Sequence, residues 1–206
     1  MPGALLPLCV LLTARFGPCS GISFIDSTKI SVCHNRRIWS HKLFRALAKR
    51  GKTSVDGFYG FKLHLVVNDC GELLAVKITA GNVEDRNPVL ELARALFGKL
   101  VGDRGYISQR LFEHLWEPGV QLITKLRKNM KNRLLPLFDK LLLRKRSICE
   151  TLNDQLKNIS QIAHSRHRSP FNFFVNMIAG LVAYTFREKK PSLNIRLHPA
   201  LPTVVL

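Results

Sequence analysis

Residues 61–79 constrain the fold more than any other stretch of the chain. Phe61, Leu63, Leu65 and Val67 alternate with Lys62 and His64, the run Asn68-Asp69-Cys70-Gly71 supplies turn residues, and Leu74, Val76 and Ile78 resume on one face. A period of two on both sides of a tight turn specifies a β-hairpin. Before it, SFIDSTKIS (residues 23–31) reads as a strand, in which Asp26 stands where a buried strand would carry another aliphatic residue. After it, Val89, Leu92, Ala93 and Leu96 recur at helical spacing, with Asp85 or Asn87 as the cap and Pro88 in the first turn. KLVGDRGY (99–106) is a short apolar strand that ends at Asp103 and its glycines. SQRLFEHLWEPG (108–119) is a helix stopped by Pro118 and Gly119, VQLITKLR (120–127) is a further strand, and RSICETLNDQLKNIS (146–160) is a last helix. Strand, strand, strand, helix, strand, helix, strand is the order of an α/β domain with a mixed sheet flanked by helices. At 206 residues, one domain with a buried core is expected, and no solenoid-type repeat is visible.

Two segments fall outside that pattern. Residues 34–58 are basic and punctuated by glycine, and read as a mobile excursion between strands, placed to touch a ligand. PFNFFVNMIAGLVAYTF (170–186) is shorter than the roughly 20 apolar residues of a spanning helix and is interrupted by Asn172 and Asn176. It reads as a buried C-terminal helix capped by Ser169, with Pro170 at its first position. The apolar start MPGALLPLCVLL lacks a positive n-region and contains Pro7, so export is not expected. Cys9, Cys19, Cys33, Cys70 and Cys149 form no C-x-x-C pair and are odd in number, which fits a reducing cytoplasm.

Charge narrows the partner. The chain carries 32 Lys and Arg against 14 Asp and Glu, a net charge of +18. Such an excess binds polyanions by releasing their counterions, and without a Lys-rich amphipathic helix it points to nucleic acid rather than to a membrane. The densest basic region is 125–146, where Lys128, Lys131 and Arg133 are candidate phosphate contacts and only Asp139 opposes the cations.

The chain has no G-x-x-x-x-G-K-[ST] loop, no G-x-S-x-G elbow and no H-E-x-x-H motif, so nucleotide hydrolysis, acyl transfer and zinc proteolysis lack support. Cutting a phosphodiester needs an oxygen nucleophile and a stabilised leaving oxygen; two hard divalent ions serve both, and such ions favour carboxylates. Asp26 in the first strand, Asp103 at the end of the fourth and Glu150 in the last helix converge if the first and fourth strands are neighbours. In that helix Arg146, Glu150, Asn153 and Lys157 share one face, with Ile148, Leu152, Leu156 and Ile159 opposite. Taken singly, each acid has a plain structural reading, a turn residue or a solvated helix charge; their order along the fold makes them a set. Glu84 and Asp85 rank second, since a helix cap accounts for Asp85. His164 and His167 lack a thiolate or third imidazole partner, which favours phosphate contact over zinc.

FIDSTKI, GNVEDRN, VGDRGY and the R-x3-E-x6-K spacing of Arg146, Glu150 and Lys157 resemble bacterial insertion-sequence DDE transposases, over nearly everything after residue 20. The resemblance implies a ribonuclease-H-like fold, with a remnant or linker at 1–20, the catalytic domain at 21–165, and a C-terminal helix and tail at 166–206. It also implies that Asp26, Asp103 and Glu150 are catalytic and bind two Mg²⁺ or Mn²⁺ ions. Arg146 and Lys157 then form the basic signature around the glutamate. The implied reaction is strand cleavage and transfer on double-stranded DNA, at transposon ends and target, by a homodimer in a synaptic complex within the bacterial cytoplasm and nucleoid. One departure is Leu143, where relatives with the fuller signature carry a tyrosine. Fewer than 30 residues precede Asp26, and the end-reading helical region of such transposases is missing there, so a truncated or re-started chain is expected. The rival readings are a catalytically inactive DNA-binding remnant and a structure-specific nuclease of the same superfamily.

Overall fold

The computed structural model describes residues 2–53, 56–125, 135–163 and 167–193; Lys128, Lys131, Arg133 and His164 lie outside the described residues. In chain order the elements are α1 (Leu5–Ala14), β1 (Ile22–Cys33), β2 (Lys49–Lys52), β3 (Gly57–Asn68), β4 (Leu73–Ala80) and α2 (Val89–Leu92). They continue with β5 (Gly98–Gly102), α3 (Gln109–Trp116), β6 (Val120–Thr124), α4 (Leu137–Lys145), α5 (Ser147–Asp154) and α6 (Pro170–Thr185).

β3 lies antiparallel to β1 from Ser23 opposite Asn68 to Cys33 opposite Tyr59. Its other edge is shared end to end by β4, the expected hairpin partner, and by β2. On the far side of β1, β5 and then β6 join in parallel. The first strand and the strand ending before Asp103 are therefore neighbours. They pair only from Ile22 opposite Lys99 to Phe24 opposite Val101, and then part. A crevice beyond the carboxyl end of a parallel strand is where α/β sheets place ligands.

Helices cover both faces, and strand alternation decides which residue meets which layer. Phe24, Ile30, Leu63 and Leu65 pack with Leu142, Leu152, Leu156, Phe173 and Leu181 from α4, α5, the turn after α5, and α6. Ile25, Val66 and Leu100 pack on the other side with Val89, Leu92, Leu111 and Leu115. Asp26 shares the parity of Phe24 and so points toward α5. β3 is covered on both sides, which buries His64 completely. Its Nε2 lies 2.8 Å from Thr79 Oγ1, and burial lowers its pKa to about 4, leaving the ring neutral at pH 7.

Several local expectations are corrected. Residues 34–58, read as a mobile excursion, contain β2 and a short 3-10 turn at Asn35–Arg37, and are pinned by the buried Phe44 and Ala48. The helix after β4 is one turn, α2, with Pro88 at its N-cap and no side-chain cap; Asp85 instead pairs with Lys62 at 3.0 Å. Val89, Leu92, Ala93 and Leu96 are nevertheless all buried, as their spacing required. The apolar face of the last helix holds for Ile148, Leu152 and Leu156, but Ile159 is 62% exposed. A π turn at Gln155–Ile159, closed by the Ser160 N–H donating to the Gln155 carbonyl, inserts an extra residue into the turn and rotates Ile159 outward.

Residues 1–20 hold α1, which packs against α6 and buries Leu12. α6 starts with Ser169 at the N-cap and Pro170 at the first position, as expected, though the Ser169 side chain makes no cap bond. Among the described residues no helix is long and apolar enough to cross a membrane.

Candidate active site

Asp26 sits five residues into β1, just past the point where β1 and β5 part. Its Oδ2 accepts a hydrogen bond from Asn153 Nδ2 at 2.9 Å, and its Oδ1 lies 3.6 Å from Arg146 Nη1. Asp103 is the first residue beyond β5. Its carboxylate accepts from the Arg104 N–H at 2.7 Å, capping a single 3-10 turn, Arg104–Tyr106. Gly102 accounts for the first glycine in VGDRGY: a Cβ there would meet the Tyr106 ring at 3.0 Å and Ile25 Cγ2 at 3.2 Å, so a larger residue would push on the ring that folds back over it. Glu150 lies in the first turn of α5, whose buried Ile148 and Leu152 fix its outward face.

Arg146, at the junction of α4 and α5, links the three acids. Its Nη2 lies 3.3 Å from Glu150 Oε1 and 4.0 Å from Asp103 Oδ1, while its Nη1 faces Asp26. Glu150 Oε1 and Asp103 Oδ1 share Nη2 and so can be no farther apart than those two distances laid end to end. Three carboxylates from three separate elements thus ring one guanidinium. Asp26 is the buried member, its side chain 19% exposed against 66% for Glu150.

Burial dominates the electrostatics. It pushes the Asp26 pKa up to about 6; Arg146 and the Ser27 N–H oppose the rise, while Asp103 and Glu150 add to it. Lys157 is held below the usual lysine range by burial and by Lys29, with Asp26 acting in the opposite sense. The Tyr106 phenol and the Cys149 thiol are pushed far up by burial and, secondly, by Asp26, so both stay protonated behind the site.

The structure therefore brings together Asp26, Asp103, Glu150, Arg146 and Lys157. Asn153 was legible only as a member of the same helix face, and its bond to Asp26 was not foreseen. The packing of Tyr106 on Gly102 carried no separate signal. Leu143, where a tyrosine was looked for, is buried in the core. The donor set is all carboxylate, which suits a hard cation such as Mg²⁺ or Mn²⁺ and not zinc or copper. Among the described residues no three acidic, histidine or cysteine side chains are closed to ion-holding distance; Arg146 lies between the acids instead.

The family model described as "Transposase DDE domain" matches residues 16–170. This chain belongs to the DDE transposase domain family. Its mixed sheet flanked by helices is the α/β architecture expected from the sequence, and the matched segment runs from before β1 through α5 to the start of α6. The family acts on DNA and generally uses divalent metal ions. None of the curated proteins compared matches the chain. Among solved structures, this DDE transposase domain is similar to a chain of the simian T-cell lymphotropic virus intasome, determined by cryo-electron microscopy in complex with the PP2A regulatory subunit B56 gamma. Sequence identity is 15% and the TM-score 0.42; the similarity covers 93% of this chain and spans 63% of that one.

Proposed function

We propose that this DDE domain cleaves DNA strands and transfers them during transposition, with Asp26, Asp103 and Glu150 as its metal-binding catalytic residues. The observation that carries this reading is the convergence of three carboxylates, from β1, from the end of β5 and from α5, on one cation. Surface acids that merely solubilise a fold have no reason to meet across elements 47 to 124 residues apart in the chain. The three would hold two Mg²⁺ or Mn²⁺ ions. Such ions, when bound, activate a water or a DNA 3′-hydroxyl and stabilise the leaving oxygen.

The chain's own groups have separable tasks. Asn153 fixes the Asp26 carboxylate in one orientation, so that a ligand meets a preset oxygen rather than a rotating one. The rigid strand positions Asp26 while the 3-10 turn positions Asp103. Arg146, long enough to turn from the acids to a phosphate, donates to non-bridging oxygens and offsets their charge. Lys157, half-buried beside Asp26, supplies a second cation where the scissile phosphate would lie. The expected partners are transposon ends and target DNA, gripped through the phosphate backbone. Lys128, Lys131 and Arg133 belong to that proposed grip, and two copies act together at synapsis in the cytoplasm, on the nucleoid.

The test is strand cleavage by the purified chain with Mg²⁺ or Mn²⁺, on labelled duplex carrying the element's own ends and on a scrambled control. Metal-dependent nicking is expected, and it should disappear in Asp26→Asn and Glu150→Gln, which remove a charge at nearly constant volume. Nicking that survives both substitutions, or DNA binding with no cleavage under any metal, refutes the catalytic reading; the second outcome would favour an inactive DNA-binding remnant.

A further inference from the structure

Between residues 36 and 52 the chain carries seven arginines and lysines and no acidic residue. In the middle of that stretch Trp39 is 87% exposed, the most exposed of the large apolar side chains described. The Arg50 guanidinium lies over one face of its ring, 5.0 Å from the centroid. A large aromatic left in water is costly unless something covers it.

The segment that carries Trp39 is held in place. Phe44 is buried edge-on against Phe173 at 5.2 Å and Phe61 at 6.0 Å, Asn35 Nδ2 donates to the Gly57 carbonyl at 2.7 Å, and β2 is paired with β3. Beside the indole a cavity of about 240 Å³ opens, lined by Asn35, Ile38, Arg50 and Phe58. Arg36, Arg37, Lys49 and Lys52 are exposed around it, and among the described residues none of the four is in an ion pair.

We propose that Trp39, backed by Arg50 on one face of its ring, offers the other face as a stacking platform for an unpaired DNA base, with the surrounding cations gripping the flanking phosphates. The inference rests on the reading of the chain as a DNA strand-cleaving enzyme. Bases in an intact duplex have both π faces covered by their neighbours, so an indole platform selects single strands, flaps or flipped bases. A second copy of this chain is a poorer occupant, since seven cations would oppose seven cations. β1 connects the platform to the candidate active site: its end at Cys33 lies seven residues beyond Asp26, about 23 Å at the usual strand rise. That is roughly the length of seven stacked nucleotides. A strand opened at the site would run about one short oligonucleotide to the end of β1, where the segment that carries Trp39 begins.

The chain has two tryptophans, so Trp116→Phe leaves Trp39 as the sole reporter of indole fluorescence. In that background a 12-nucleotide strand and a duplex with a short flap are expected to quench Trp39, whereas a blunt duplex at equal phosphate quenches it little. Trp39→Ala should weaken strand binding about fivefold or more relative to blunt duplex, while Trp39→Phe retains part of the preference. Lys49→Glu should flatten the salt dependence of strand binding by about 0.7 per lost phosphate contact. Equal quenching by strand and blunt duplex, or equal loss of both in Trp39→Ala, overturns the platform. So does a Trp39 response to anionic vesicles or to self-association but not to the strand, and so does a parent chain that binds no DNA. The cleavage assay on the parent chain is read separately: nicking with a silent Trp39 refutes the platform alone, whereas absence of nicking refutes the reading on which it rests.

Discussion

Replacing the most buried acid of the candidate site should stabilise the metal-free protein while abolishing its chemistry. Asp26 has its pKa raised from 3.8 to about 6, chiefly by burial. Between those values the folded state holds a proton that the unfolded chain has released, so stability is lost as pH rises through that window and the loss is complete above pH 6 to 7. A rise of about two units corresponds to about 3 kcal/mol. Asn at this position resembles the protonated acid, keeps the shape that meets Asn153, and never ionises. In chelator at pH 8, Asp26→Asn should therefore be more stable than the parent by up to about 3 kcal/mol. The difference should shrink as pH falls toward 5. The assay is urea unfolding of both proteins in EDTA at pH 5, 6, 7 and 8. A gain that does not vary with pH would refute the argument, because it could not come from ionisation of Asp26; a loss at pH 8 would refute it too, because the Arg146 contact would then outweigh the burial cost. Added Mg²⁺ should stabilise the parent and leave Asp26→Asn nearly unmoved.

Arg146→Gln removes the strongest influence holding the Asp26 pKa down, so the metal-free melting temperature at pH 8 should fall. Mg²⁺ should then restore more stability than it adds to the parent, and an equal Mg²⁺ shift in both proteins would contradict the shared-cation geometry. Lys99 caps the buried Asp139 carboxylate at 2.6 Å. Lys99→Met should cost about 3–5 kcal/mol in chemical denaturation, and the double variant Lys99→Met/Asp139→Leu should recover most of it; no recovery would mean that the lysine stem, not its charge, matters. Leu152→Ala, at a site 1% exposed beneath Glu150 and Asn153, should cost about 2–5 kcal/mol and lower cleavage at temperatures where the fold survives. Full activity in that variant would show that the seating of α5 does not position the glutamate.

The parts legible in the sequence were those where a residue stood out against a strong local period. Asp26 interrupts an apolar strand, Asp103 ends one, and Glu150 lies opposite Ile148, Leu152 and Leu156; each anomaly could be seen because the pattern around it was clear. β2 had no such pattern. Lys49-Arg50-Gly51-Lys52 forms a strand because the edge of β3 from Gly57 to Gly60 extends past the end of β4 and its backbone groups need partners. That is a tertiary demand with no trace in local hydrophobicity. The one-turn α2 kept its buried face but not its length, since the chain already leaves helical geometry at its C-cap, Ala93, where φ is −89° and ψ is 0°. The ring of acids around Arg146 was hidden for a different reason: spacing places an arginine on a face but says nothing about which way its long side chain turns.

The π turn after α5 sets how this region tolerates change. A π turn amounts to one residue inserted into a regular helix, and here it lets two surfaces be served by one continuous rod. Upstream of it Glu150 and Asn153 face the carboxylates; downstream, the Ile162 N–H bonds back to the Leu156 carbonyl and Ile162 is fully buried. Drift by substitution can proceed position by position on either side without disturbing the other. A single-codon deletion within 155–159 would close the turn to α geometry and leave both flanks in place, whereas a further insertion, with no second wide turn to take it up, would swing everything after it by about 100°. Among descendants of this chain, the count of residues between Glu150 and Ile162 should thus shorten by one more readily than it lengthens.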